Sequence, residues 1–267
     1  MPMTKDTTLD QVRSIYGGAD GALWELLMGQ QIHLGGLKSS LELAERARLA
    51  DGLEGVDLCC CNGAGMRFLV RFCGARSMTG VDATPEVIKL GEARCREEGL
   101  GASIRFVHAD VCACPLPTGA ADFVWGEDAW CYVWDKPQLV AEAARLLKPG
   151  GVIAFTDWIS GPVAMTDAEL ERFLGFMRFP NVGSLERYSQ WLRDAGFELE
   201  EAEDTGRFAR CVDLYLAMVD QQLAYDALRI LSFDRSALDV IAAEMQFMQG
   251  LAHAGKVIQG RFIARKT

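Results

Sequence analysis

Residues 54–65 read EGVDLCCCNGAG, an acid near the end of an apolar run that turns toward a helix. In a βαβ unit that cradles an adenosyl group, closely spaced glycines fill this turn so that backbone can approach the ligand. Asp57 and Gly63 keep the acid and the last glycine, while Cys59 and Cys61 stand in the two earlier glycine slots. Asp82 ends the next strand-like run, 19 residues after Gly63 and followed by Ala83, where a carboxylate can accept hydrogen bonds from both ribose hydroxyls. A third run ends at Asp110, placed to bind an adenine amino group, with Val111 offering a backbone contact. Asp110 as an ordinary turn residue is the alternative.

A second group follows the fourth strand-like run, where WGEDAWCYVWDK sets Trp125, Glu127, Asp128, Trp130, Tyr132 and Trp134 within ten residues. The carboxyl ends of strands are where open α/β sheets bind ligands. Aromatic faces beside carboxylates suit a cationic amine, each cation–π contact contributing about 0.5–2 kcal/mol. Asp128 and Trp130 read as pocket residues and Trp134 as part of a hydrophobic plug. His33, in QQIHLGG, is a base, a substrate donor or a turn histidine. Arg207 and Arg210 have the planar fork that grips a carboxylate, or are ordinary surface arginines.

These residues need a frame. Strand candidates at 56–60, 77–82, 104–110, 121–126 and 151–158 alternate with amphipathic helices, one opening at Pro85, another following Asp135 and stopping at Pro149-Gly150-Gly151. A helix over 184–196, capped by Ser184, feeds FELEEAED; residues 211–250 are helical in pattern, and KVIQGRFIARK closes a final antiparallel pair. The reading is a doubly wound α/β fold, its mostly parallel sheet seven-stranded and Rossmann-like, with helical cap insertions. Residues 1–50 form a helical flap, 51–158 the nucleotide-binding core, and 159–267 complete the sheet and the cap.

With 267 residues, half of them hydrophobic, the chain can bury a large core. A formal charge of −10 argues against nucleic acid and anionic membranes as partners. No signal peptide or spanning run is legible, so a soluble cytoplasmic protein is expected, with self-association left open. Nine cysteines, three of them adjacent, fit neither a disulfide framework nor a Cys-x-x-Cys metal site, and read as small buried hydrophobes; no metal is expected.

The segment ARLLKPGGVIAFTDW, with the loop and acids above, resembles the class I methyltransferases, over about residues 49–158. That resemblance implies S-adenosyl-L-methionine as cofactor, held by Asp57, Cys59, Cys61, Gly63, Asp82, Ala83, Asp110, Val111 and Glu127. Asp-Leu-Cys-Cys-Gly variants occur in that family, so Cys61 is the departure. More narrowly, WELLMGQQIHLGG, WGEDAWCYVWDK, VGSLERYSQWLRDAGF and AGKVIQGRFIARK resemble the sarcosine and dimethylglycine N-methyltransferases. This implies methyl transfer to a small amine, with His33, Tyr132 and Asp128 as catalytic residues. Trp24, Trp130, Arg207 and Arg210 would contact the acceptor. Tyr132 stands where such enzymes often carry histidine. Two rivals remain: an O-, S- or C-methyltransferase of a specialised metabolite, which needs a larger and more apolar pocket, and a non-catalytic adenosyl-binding protein.

Overall fold

The computed structural model describes Asp10, Val12, Arg13, Tyr16 and residues 18–267; the rest of the expected flap's first turns lie outside the described residues. Helices α1 (Ala19–Met28) and α2 (Gly36–Ala47) precede the sheet. Strands β1 (Glu54–Leu58), β2 (Ser77–Asp82), β3 (Ile104–His108), β4 (Ala121–Glu127) and β5 (Leu147–Ser160) then run parallel, in the order β3-β2-β1-β4-β5. Helices α3 (Ala64–Phe72), α4 (Pro85–Glu97) and α5 (Lys136–Leu146) supply three of the crossovers. Between β3 and β4 the chain forms no helix, because Pro115 and Pro117 deny it consecutive amide donors. The strand order, not the strand direction, reverses between β1 and β4, which opens a crevice at their carboxyl ends.

The last third adds α6 (Asp167–Met177), the two-residue β6 (Gly183–Ser184) beside β5, and α7 (Leu185–Asp194), whose first turn Ser184 caps by accepting from Arg187 N. Next come β7 (Phe197–Asp204), α8 (Phe208–Met218), α9 (Ala224–Ile230), α10 (Arg235–His253) and β8 (Val257–Lys266). β8 lies antiparallel between β5 and β7, so seven strands are continuous and β6 makes an eighth. No helix among the described residues is long and apolar enough to cross a membrane.

Alternation along the strands loads both faces. Leu58, Val124, Phe155 and Phe262 pack on one face with α5 and α7; Met78, Phe123, Trp125 and Ile263 pack on the other with α2 and α3. A third apolar core joins Leu34 to the cap through Phe173, Phe208, Tyr215 and Met248. The flap is also tied to the sheet by charge. Buried Arg261 on β8 meets Glu42 of α2 at 2.6 Å and pairs with Glu201 and Glu203 of β7.

The turn that follows β4 (a 3₁₀ segment, Trp130–Tyr132) is pinned from beneath. Cys131 N donates to Asp157 Oδ1 at 2.8 Å, and the Tyr188 hydroxyl donates to Asp157 Oδ2 at 2.7 Å. Lys136 Nζ donates to the carbonyls of Cys131, Val133 and Asn181. Burial lowers the Lys136 pKa against the pull of Asp157, and burial raises Asp157 to about 6. From about pH 4 to 6 the folded chain keeps the Asp157 proton that the unfolded chain releases, so this group's contribution to stability falls as pH rises through that window. Asp157→Asn keeps the bond from Cys131 N, reverses the one with Tyr188 so that Nδ2 donates to the phenol oxygen, and removes the titration. The variant is expected to gain on the wild type by about 1–3 kcal/mol between pH 4 and pH 7, read from urea unfolding at a series of pH values.

Candidate active site

The crevice at the ends of β1, β2 and β4 holds about 1080 Å³ of free space, its open mouth included. The loop after β1 supplies its floor. Cys59 (φ 66°) and Cys61 (φ 47°) adopt the left-handed backbone that their glycine-like slots demand, at a cost of about 1–2 kcal/mol each. What holds them is hydrogen bonding: Cys59 N donates to Val81 O (2.9 Å) and Cys61 N to Asp82 Oδ2 (2.9 Å). Thr84 N takes the other Asp82 oxygen at 2.9 Å. Gly63, also left-handed, opens α3, and a β-carbon there would run into Phe106. Asp57, Asp82, Ala83, Asp110 and Val111 all line the crevice with Cys59 and Cys61, as their order in the sequence predicts; Gly63 lies just outside the lining. Asp110 also makes its local turn, Oδ1 accepting from Cys112 N at 2.9 Å.

Two consecutive carboxylates at the end of β4 fasten the flap. Glu127 accepts from Trp125 Nε1 (3.0 Å) and from Ser40 Oγ of α2 (2.9 Å), and His33 Nε2 lies 3.4 Å from it. Asp128, left-handed at φ 53°, accepts from Leu34 N at 2.8 Å through Oδ2. Asn62 and Arg67 hold Gln30 from the other side.

A smaller chamber adjoins the crevice, lined by Tyr16, Trp24, Met28, Ile32, Asp128, Tyr132, Trp158, Met177 and Phe179. Tyr16, Ile32, Asp128 and Tyr132 line both spaces, so they mark the junction. Tyr132 meets Tyr16 and Phe179 edge-on, at 5.5 and 4.8 Å between centroids, and Trp24 meets Trp158 edge-on at 6.4 Å.

Four expected contacts fall elsewhere. Trp130 lies in the sheet core, its indole over Gly126 and stacked on Phe155 at 4.1 Å with Nε1 donating to Leu58 O; the turn rotates it inward. Arg207 pairs with Glu42 beneath Gly35, and Arg210 is exposed; neither lines a chamber. His33 is fully internal, with Ser40 Oγ 3.1 Å from Nε2 and Leu34 O 3.4 Å from Nδ1, and it also lines neither space. Tyr16, Trp158 and Phe179 stand in segments with no motif or spacing that marks them as site residues. Gln259 did carry one: a polar residue inside an apolar strand.

The electrostatics are one-sided. Asp57, Asp82, Asp110, Glu127, Asp128 and Asp135 line the crevice, and among the described residues no lysine or arginine does. Burial raises Asp57, with Glu127 and Asp82 adding repulsion, and among the described residues no donor reaches its carboxylate. Burial raises Asp82 as well, opposed by its backbone donors. Burial likewise keeps Tyr16 and Tyr132 protonated and the thiols of Cys59, Cys60 and Cys61 neutral. Among the described residues no three metal-ligating side chains converge.

Residues 56–155 match the model of a methyltransferase domain. Over 78% of its length the chain is 29% identical to the 27-O-demethylrifamycin SV methyltransferase of Amycolatopsis mediterranei, covering 80% of that protein. It is 34% identical to the dimethylglycine N-methyltransferase of Parasynechococcus marenigrum over 39% of its own length and 37% of that protein. The fold matches Haemonchus contortus phosphoethanolamine N-methyltransferase 2, solved with phosphomonomethylethanolamine and S-adenosylhomocysteine, at a TM-score of 0.86 and 20% identity. That match takes in 99% of this chain and 60% of the other. The matched domain lies on the crevice-forming strands, so the chain carries a methyltransferase domain of the kind that uses S-adenosylmethionine, within a fold shared along its length with the structure above.

Proposed function

We propose that the protein methylates the nitrogen of a small basic amine that carries no anionic group. One observation carries the reading: a crevice with six carboxylates and no cationic side chain among the described residues, opening through Asp128 onto an aromatic chamber. Trp24, Trp158 and Tyr132 offer faces to an ammonium, and Asp128 offers the countercharge. A carboxylate or phosphate would meet the Asp128 charge there and, among the described residues lining the two spaces, no lysine or arginine, so sarcosine, dimethylglycine and phosphoethanolamine are the less favoured amines.

The residues present fit the cofactor. A β-carbon at Gly65 would stand 3.4 Å from Asp57 Oδ2 and 3.5 Å from Glu127 Oε2, so that glycine keeps a gap between loop and acids open for a ligand. Asp82 would hold the ribose, Asp110 with Val111 the adenine, and Asp57, which no donor among the described residues reaches, the amino group of the methionine part, with Glu127 beside it. S-adenosylmethionine supplies a methyl already activated on a sulfonium. The chain's residues then align the acceptor, and alignment of this kind recovers several kcal/mol, up to about 7–11 in favourable cases. Freeing the lone pair of an amine of pKa about 10 costs roughly 4 kcal/mol at pH 7. The aromatic faces and the Asp128 charge hold the amine as it binds, and Asp128 is the carboxylate at hand to take its proton. The two protonated tyrosines serve as donors and walls, and internal His33 steadies Glu127.

A second reading is O-methylation of an apolar metabolite. It draws on the Met28, Ile32, Met177 and Phe179 wall and on the rifamycin relative.

Asp82→Ala is expected to weaken S-adenosylhomocysteine binding by about 1.5–3 kcal/mol in calorimetry, since the ribose loses a charged acceptor. Cys61→Gly is expected to bind it at least as tightly, because glycine adopts the same backbone without strain. Benzylamine and dimethylethanolamine should be methylated faster than sarcosine, dimethylglycine and phosphoethanolamine. Turnover confined to phenols and alcohols would establish the second reading instead.

A further inference from the structure

Asp128 is held by a residue 131 positions further along the chain. Gln259, on β8 and wholly buried, donates from Nε2 to both Asp128 oxygens, at 2.8 and 2.7 Å. A carboxylate can only accept, so the amide must turn its nitrogen toward Asp128. Its oxygen is then free for Thr205, whose hydroxyl donates to Gln259 Oε1 at 2.9 Å. The backbone repeats the link: Thr205 N donates to Gln259 O at 2.9 Å. Both ends of the amide are thus fixed, one by a neighbouring segment and one by the carboxylate.

The need for such a clamp lies in the backbone. Asp128 is a non-glycine residue in the left-handed region, immediately after a strand, with Asp128 N bound to Thr156 O. Its oxygens are shared between the Leu34 amide of the flap and Gln259. With Leu34 alone, one hydrogen bond from a flap would set the carboxylate's direction. With Gln259, the plane is fixed by the sheet, and Oδ1 retains a lone pair at the junction of the crevice and the aromatic chamber.

We propose that Gln259 is a positioning residue for the acceptor: it orients the Asp128 carboxylate toward the cationic nitrogen and holds the flap through it. This rests on the reading of Asp128 as the acceptor's countercharge. The measured quantity is the affinity of benzyltrimethylammonium, a quaternary cation that cannot be methylated, for the full chain saturated with S-adenosylhomocysteine. The wild type should bind it. Asp128→Asn and Gln259→Leu should each weaken it about tenfold or more, with S-adenosylhomocysteine affinity held within about twofold. Asp128→Asn combined with Gln259→Glu exchanges amide and carboxylate; it should restore the melting temperature lost in Gln259→Glu but not the probe affinity. That separates positioning from simple packing. Wild-type affinity in Gln259→Leu, beside a loss in Asp128→Asn, would overturn the role of Gln259 alone. No binding by the wild type, or full affinity in Asp128→Asn or in the exchanged pair, would overturn the reading of Asp128 and with it the inference.

Discussion

A carboxylate taken out of water must be met by donors, and this requirement organises the top of the sheet. Asp82 ends β2 and is met by the amides of Cys61 and Thr84. Asp128 follows β4 and is met by Leu34 N and Gln259. Asp157, near the end of β5, is met by Cys131 N and Tyr188. In each case the donor comes from the loop or segment that must be placed: the cysteine loop, the flap, the turn beneath the aromatic segment. The acids act as posts to which neighbouring loops are tied. Asp57 is the exception, buried among two other carboxylates with no donor among the described residues, and that is the position where a ligand's positive charge relieves most repulsion.

Much of the scaffold was legible because its signals are local. Ser184 does cap α7, Pro85 does open α4, and β2 spans the expected residues. β1 ends at Leu58, two residues short of the expected run, because Cys59 turns left-handed to begin the loop. α5 stops at Leu146 and β5 already begins at Leu147, since Pro149 cannot extend a helix but can sit in a strand's irregular start. The crevice residues were legible for a similar reason: an acid at a strand's end points to one side only.

The acceptor side was less so. Within three residues, Trp130 faces the core and Tyr132 the chamber, and a short 3₁₀ turn has no periodicity from which to choose between them. Gly126 makes the choice by leaving a hollow for the Trp130 indole. Arg207 and His33 were chosen for their chemistry, but each is engaged inside, by Glu42 and by Ser40 with Glu127. Trp158, Phe179 and Gln259 reach the site from segments far apart in sequence, and only tertiary packing brings them there.

The strand order bears on how the chain is made. β8, the last strand of the described sheet, fits between β5 and β7, so β7 emerges during synthesis with no neighbour to pair with. An unpaired strand edge is a template for association between nascent chains. β7 reads FELEEAED, and its five acids repel any second copy laid alongside. Its partner brings the remedy, since Arg261 and Arg265 of β8 pair with Glu201, Glu203 and Glu200 once the strand arrives. The charge that keeps β7 solitary is therefore what selects the one strand meant to join it.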